Sequence, residues 1–352
     1  MKSSKLQQLL IKPATRRVAG RSPAIGFIFL FVAGLKANCC SLIVRIIIIK
    51  KVPHKNENKS PKRWVRSLAI AGIAIAGLYG AVCAGLWFGQ TRLIFVPEKE
   101  ITTTPAKFKA KYEEVLIPVK NSDGTKENIH GWWLPNAKQD EKTAVGDRQL
   151  DRKVILYLHG NGKNISANAG HANRLMRMGF SVLLIDYRGY GKSEGGFPSE
   201  ASLYTDAQTA WDYLMQRGFK PNQVIIYGHS LGGAIAINLA TKHPDASGII
   251  VDASFTSMSD MATLDSKFRF VPIDLLLHQR FDSLSKVRSL VTPVLYIHGT
   301  ADEAVPFAMS QRLYDATQTK KKLVIVPNAG HNNTAKTDEF RYRDSILSFF
   351  NL

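Results

Sequence analysis

The sequence predicts an α/β fold, a mostly parallel central sheet with helices on both faces, with a transmembrane helix ahead of it. Three observations carry that prediction. Short apolar runs recur from residue 154 onward, among them Val154–Leu158, Val182–Ile185, Val224–Tyr227, Gly248–Val251 and Val294–His298. They lack the alternation of a half-exposed strand, as parallel strands buried on both faces do. Between them lie segments of helical spacing, such as Ser199–Gln216, where Leu203, Ala207, Ala210, Trp211 and Leu214 share one face. Finally, the run Val224–Tyr227 breaks off in Gly228-His229-Ser230-Leu231-Gly232-Gly233 and passes at once into a small-residue helix from Ala234. Strand, sharp turn and helix around a central serine is the context that gives a G-x-S-x-G pattern mechanical meaning.

The 352 residues accommodate one such domain plus appendages, since α/β domains often run to ~250 residues. Three parts are expected: a basic arm at 1–66, a transmembrane helix at 67–90, and the α/β domain at 91–352. The net charge of +19 belongs mostly to the arm, where 15 Lys and Arg face the single acid Glu57. The rest of the chain carries only +5, so its charge does not mark a nucleic-acid-binding domain. No aromatic residues interleave with the basic run from Lys50 to Pro61, which argues against nucleic acid as a partner of the arm too. Cys39, Cys40 and Cys83 all lie in or beside apolar N-terminal segments, so neither disulfides nor thiolate metal sites hold the α/β domain together.

Leu68–Gly89 is 22 residues without a charge. As a helix it is ~33 Å long, enough for a hydrocarbon layer of ~30 Å. Trp64 at one end, with Trp87 and Phe88 at the other, suits the aromatic belts of the two interfaces. A second apolar stretch, Ala24–Ile49, is interrupted by Lys36 and Arg45 and reads as a marginal or interfacial segment. The chain is therefore expected to be a single-pass membrane protein. Basic residues cluster before the span, and the nearest beyond it are Arg92 and Lys99, which puts the globular part on the non-cytoplasmic side.

The α/β domain opens with an antiparallel hairpin, Glu113–Val119 and Ile129–Leu134, turning at Asp123-Gly124. Ala137–Arg152 is polar and reads as a mobile loop. The strand–helix alternation follows, with helices expected at Asn164–Met178, Ser199–Gln216, Leu231–His243, Pro306–Ala316 and Thr337–Phe350, and a last strand at Leu323–Val326. Phe255–Leu290 breaks the rhythm. It is apolar, contains no clear strand and falls between two core strands, so it is either a short cap over the active site or a long crossover packed by its own residues.

The chemistry gathers at strand ends. Ser230 is the candidate nucleophile, and a helix cap is its bland alternative. His159-Gly160-Asn161-Gly162 follows the first parallel strand. There the backbone N–H of Asn161 can join that of Leu231 to hold an oxyanion, with His159 bracing the turn. Asp302, between a strand and the helix at Pro306, is the favoured acid over Glu303 and Asp252. His331, in the loop after the last strand, completes the chain order Ser, acid, His and serves as base. Asp186-Tyr187-Arg188-Gly189-Tyr190-Gly191 lacks phosphate-loop spacing and reads as a rigid turn carrying Arg188 beside the site. No group of His, Cys, Asp and Glu has metal-ligand spacing and there is no dinucleotide fingerprint, so the expectation is hydrolysis with no cofactor and no metal.

On these motifs residues 112–350 resemble the α/β-hydrolase superfamily. The nearer resemblance is to its membrane-anchored branch, related to serine aminopeptidase-like and acyl-protein-thioesterase-like hydrolases. The residues carrying it are His159-Gly160-Asn161, Asp186 to Gly191, Gly228 to Gly233, Asp302 and Gly330-His331. The resemblance implies a Ser230–Asp302–His331 triad. It does not extend to a large lipase lid or to the His-Gly-Gly-Gly oxyanion turn of some esterases. The leading expectation is a serine hydrolase acting on carboxylic esters or thioesters, its partners a small-molecule or lipid acyl substrate and the bilayer. A serine aminopeptidase-like activity, with Asp260, Asp265 or Asp274 receiving the substrate amine, is the alternative. A non-catalytic membrane scaffold is the third.

Overall fold

In the computed structural model the chain is described over residues 61–120, 124–136 and 153–352. The basic arm before residue 61, with the apolar stretch Ala24–Ile49, and the polar loop Ala137–Arg152 lie outside the described residues.

Helix α1, Pro61–Ile94, is longer at both ends than the uncharged run that announces it. Charges such as Arg66 and Arg92 stop a hydrocarbon span without stopping a helix. It is long and apolar enough to cross a membrane, and none of its most apolar window is buried in the protein. Cys83, Leu86, Gln90 and Ile94 fall on one stripe and are half-buried or buried, whereas every described side chain from Arg63 to Val82 is exposed.

Strands β1 (Glu113–Lys120) and β2 (Lys126–Leu134) form the expected antiparallel hairpin. β3 (Val154–Leu158), helix α2 (Ala169–Arg177), β4 (Ser181–Ile185), α3 (Glu200–Gln216), β5 (Val224–His229), α4 (Leu231–Ala240) and β6 (Gly248–Asp252) follow. Short helices α5 (Met258–Thr263), α6 (Ile273–Leu276) and α7 (Ser283–Val287) precede β7 (Val294–Gly299), α8 (Ala308–Ala316), β8 (Lys321–Val326), α9 (Thr334–Thr337) and α10 (Glu339–Phe350). The strands make one eight-stranded sheet in the order β1-β2-β4-β3-β5-β6-β7-β8. β2 meets β4 antiparallel, and every pair from β4 through β3 to β8 is parallel.

The two faces of the sheet separate two cores. Val154, Leu156 and Leu158 of β3 pack on the side of α3 and α4, with Leu203, Ala207, Ala210, Trp211 and Leu214. Ile155 and Tyr157 point the other way, into a layer with Leu175 of α2 and Ile346 and Phe349 of α10. That alternation is the period-two geometry of a strand covered on both sides. The helix expected at Thr337–Phe350 is α10, starting two residues later, with the one-turn α9 just ahead of it. Asp338 leaves helical geometry (φ −142°) so that its carboxylate can accept from the Arg341 N–H at 3.0 Å and cap α10.

The Phe255–Leu290 segment holds α5, α6 and α7 and forms no strand. It docks on the last turns of α1. The Gln90 amide donates to the Leu276 carbonyl (3.1 Å), and its oxygen accepts from the N–H groups of His278 (2.9 Å) and Gln279 (3.1 Å).

Candidate active site

β5 delivers Ser230 to the top of the sheet. Its backbone sits at φ 53°, ψ −118°, a conformation a residue with a Cβ adopts only under constraint. The constraint is visible. The Ser230 N–H donates to the Asp252 carbonyl (2.9 Å), and its own carbonyl accepts from the Gly233 N–H (2.9 Å) and the Ser254 hydroxyl (2.8 Å). Gly228 and Gly232 let strand and helix cross this closely. A Cβ on Gly228 would overlap Gly232, and one on Gly232 would overlap the Leu158 carbonyl.

The loops after β7 and β8 bring two distant side chains to this turn. His331 Nε2 lies 3.0 Å from Ser230 Oγ, and its Nδ1–H donates to Asp302 Oδ2 at 2.7 Å. A carboxylate only accepts, so this bond fixes the tautomer and leaves Nε2 as acceptor for the serine hydroxyl. The other Asp302 oxygen accepts from the N–H groups of Ala304 (2.9 Å) and Val305 (2.8 Å). Burial works to raise the Asp302 pKa, but hydrogen bonds from His298 and His331 and from the Val305 amide outweigh it and hold the carboxyl well below the usual range.

The competing acids are placed elsewhere. Asp252 is buried at the end of β6, where it accepts from the Tyr227 hydroxyl (2.6 Å) and the Thr334 hydroxyl (3.2 Å). Glu303 is exposed. His159 is buried under the Gly160-Asn161-Gly162 turn, its Nδ1 2.8 Å from the Gly160 carbonyl, while the Tyr187 hydroxyl donates to the His159 carbonyl (3.0 Å). It braces the turn, as its position before the two glycines predicts.

Asn161 follows on that turn. Neither its N–H nor that of Leu231, in the first turn of α4, has an acceptor among the described residues. The Asn161 side chain has a separate task. Its amide donates to the Ile94 carbonyl (2.5 Å), and its oxygen accepts from the Val96 N–H (3.2 Å) and the Tyr190 hydroxyl (3.1 Å). The turn is thereby tied to the chain leaving α1.

Arg188 holds the expected rigid turn through partners of its own. Its Nε donates to Asp206 Oδ1 (2.6 Å), its N–H to Asp206 Oδ2 (2.8 Å) and a terminal nitrogen to Glu127 (3.3 Å). It ties the loop after β4 to α3 and β2, a structural role that local spacing does not disclose.

Sequence reasoning misses two histidines. His298, in β7, places Nε2 3.1 Å from Asp302 Oδ2 and 2.9 Å from the Val305 carbonyl, with Nδ1 2.7 Å from the Ser310 hydroxyl. His229, beside the serine, places Nε2 2.9 Å from the His331 carbonyl. Burial, reinforced by His331 nearby, lowers the His229 pKa. The ring is therefore uncharged at neutral pH and donates this bond through Nε2–H. A histidine four residues ahead of the favoured acid, and one adjoining the favoured nucleophile, were the available signals.

A sheet of this order, with a serine on the strained turn after β5, defines the class of protein: an α/β hydrolase. The comparisons agree. Residues 149–284 match the family model described as serine aminopeptidase, S33. An uncharacterized protein of Mycobacterium tuberculosis is 32% identical over 286 residues, covering 81% of this chain and 95% of its own. Protein bem46 of Schizosaccharomyces pombe is 31% identical over 288 residues, covering 78% and 88%. Among solved structures, an α/β hydrolase from Vibrio vulnificus has a TM-score of 0.57 at 22% identity, over 85% of this chain and 98% of that one. A Pyrococcus furiosus esterase has a TM-score of 0.57 at 18% identity, over 73% and 97%. The chain belongs to the α/β-hydrolase superfamily.

Proposed function

We propose that this chain is a membrane-anchored serine hydrolase that cleaves carboxylic esters or thioesters. Ser230 is the nucleophile, His331 the base and then the acid, and Asp302 the group that orients His331 and balances its charge. One observation carries the reading: the line from Asp302 through His331 to Ser230, with hydrogen bonds of 2.7 and 3.0 Å, on a turn flanked by two backbone amides that have no acceptor among the described residues.

The chemistry follows from that line. Ser230 Oγ attacks the acyl carbon while its proton passes to His331 Nε2. The N–H groups of Asn161 and Leu231 receive the charge that develops on the former carbonyl oxygen. The proton then goes to the departing alkoxide or thiolate, leaving an acyl-enzyme. Water, activated by the same imidazole, releases the carboxylic acid and restores the hydroxyl. Asp302 remains a carboxylate throughout, in keeping with its depressed pKa.

The description of the matched family model raises the aminopeptidase reading, which needs a free carboxylate for the substrate amine. Two of the three candidates are paired with cations, and the third accepts from a hydroxyl. Asp260 pairs with Arg312 (3.0 Å), Asp265 with Lys267 (3.4 Å), and Asp274 accepts from the Ser259 hydroxyl (2.6 Å). The pairing of two of them with cations favours esters and thioesters, whose acyl groups need carry no amine to recognise.

The exposed apolar length of α1 supports the anchor. The charge asymmetry across it supports a topology with the arm in the cytoplasm and the hydrolase domain on the other side. Ser230→Ala is expected to lower turnover of a short p-nitrophenyl acyl ester by about 10³-fold or more and to abolish labelling by a fluorophosphonate probe. Labelling that survives the substitution ends the assignment.

A further inference from the structure

A polar cavity of about 240 Å³ lies beside the loop that carries His331. It is lined by the end of β3, the first turns of α2 and the Asn332–Lys336 segment, together with His229 and Asp252. Neither Ser230 nor His331 lines it. Several of its polar groups are already satisfied. Asp252 accepts from the Tyr227 hydroxyl (2.6 Å) and the Thr334 hydroxyl (3.2 Å). His171 places Nδ1 3.2 Å from the Tyr157 hydroxyl and Nε2 2.9 Å from that of Tyr342. Burial, reinforced by Arg174 nearby, lowers the His171 pKa to about 3, so this ring is uncharged at neutral pH.

The groups left without partners are cationic or can donate. Arg174, on α2, meets a carboxylate only at 4.0 Å, between its Nε and Glu339, and its terminal nitrogens have no acceptor among the described residues. The Lys336 ammonium, on α9, and the Asn332 side-chain amide have none either. Asn168 and Gly170 bring the start of α2 to the same cavity, the positive end of that helix dipole. Two cations, one carboxylate already hydrogen-bonded and unpaired N–H groups make the complement of an oxyanion.

The same residues are joined to the catalytic loop. Asn332, Thr334 and Lys336 follow His331 directly in the chain. The His331 carbonyl accepts from His229 Nε2–H (2.9 Å), and Thr334 is held by Asp252, whose backbone carbonyl accepts from the Ser230 N–H (2.9 Å). Two cations on one cavity repel each other, and an anion between them turns that repulsion into attraction. Drawing Lys336 toward α2 tightens the segment that begins at His331.

We propose that this cavity is a second ligand site, which binds a phosphate group through Arg174 and Lys336 and steadies the loop carrying His331. A guanidinium fork takes two phosphate oxygens and an ammonium takes a third. Binding is independent of what the protein hydrolyses, whereas its effect on turnover rests on the serine-hydrolase reading.

The test uses the full-length chain in neutral detergent micelles at constant ionic strength. Equilibrium dialysis with radiolabelled inorganic phosphate is expected to show saturable binding, weakened about tenfold or more by Arg174→Gln and by Lys336→Gln. Lys336 is exposed, so its variant keeps the fold. Displacement of the label by glycerol 3-phosphate marks a soluble ligand, and displacement by phosphatidic acid alone marks a lipid headgroup; either keeps the phosphate site. Saturating phosphate is expected to raise wild-type turnover of a short p-nitrophenyl ester about threefold or more and to leave both variants unchanged. Without phosphate the variants are expected to turn over that ester within about twofold of wild type. No saturable binding, or binding that both variants retain, overturns the site. Binding with no change in turnover overturns the link to His331. Failure of the hydrolase reading looks different: wild-type protein would then bind phosphate yet turn over no ester.

Discussion

At the scale of residues, the site is a set of conflicts, each settled by a neighbour. Asp302 is buried, which by itself favours its neutral form. Two imidazoles and two backbone amides keep it charged, so His331 keeps Nε2 free for the Ser230 proton. The sign of the pH effect follows. The folded-state pKa of Asp302 lies below its unfolded value of ~3.9, so the stability it contributes is fully present above that value and is lost as pH falls through the folded-state pKa. The melting-temperature gap between wild type and Asp302→Asn is expected to stay constant from neutral pH down to about 5 and to close at lower pH. The same variant is expected to lose ~10⁴-fold in kcat, because an amide in place of the carboxylate favours the wrong tautomer of His331. A gap that widens on acidification, or an undiminished kcat, contradicts the role given to Asp302.

At the scale of elements, the strained turn between β5 and α4 shows how packing holds a serine in place. Gly232 admits the Leu158 carbonyl where any side chain would collide with backbone, and backbone moves only by shifting β3. Gly232→Ala is expected to cost several kcal/mol, more than the ~1–3 kcal/mol typical of overpacking. Gly196, where an added methyl would meet nothing within 4 Å, is the control. Gly196→Ala is expected to fall within ~0.5 kcal/mol of wild type by denaturant unfolding. Comparable losses in the two would show that close packing at the turn is not what makes glycine necessary there. Most elements are legible in the sequence because their causes are local. β3 to β7 announce themselves as short apolar runs, and α3 by its stripe. The start of α10 is read two residues early because an aspartate at a helix start and one inside a helix look alike until the Arg341 amide is seen to need an acceptor.

At the scale of the whole molecule, α1 and the α/β domain are one packed unit over the described residues from Pro61 onward. Gln90 and Asn161 hold the helix end to the Phe255–Leu290 segment on one side and to the Gly160-Asn161-Gly162 turn on the other. If α1 spans a bilayer, as proposed, the catalytic turn is at a set height above the lipid. Full-length protein in isolated membranes is expected to resist extraction at alkaline pH in sodium carbonate and to be released by detergent. Its appearance in the carbonate supernatant would mean that α1 lies on a surface or against another protein instead of crossing the membrane.

Read alone, the sequence determined the sheet's strands, the turn that carries Ser230, the apolar helix and the candidates Asp302 and His331. Each of these is written in a periodicity, a spacing or a chain order that a few consecutive residues can express. Only the tertiary structure decided where Arg188 points, what His229 and His298 hold, and that the last turns of α1 pack against Phe255–Leu290. Those are contacts between residues far apart in the chain or on separate elements, and their energy depends on which neighbour fills the space. A local pattern does not carry that information.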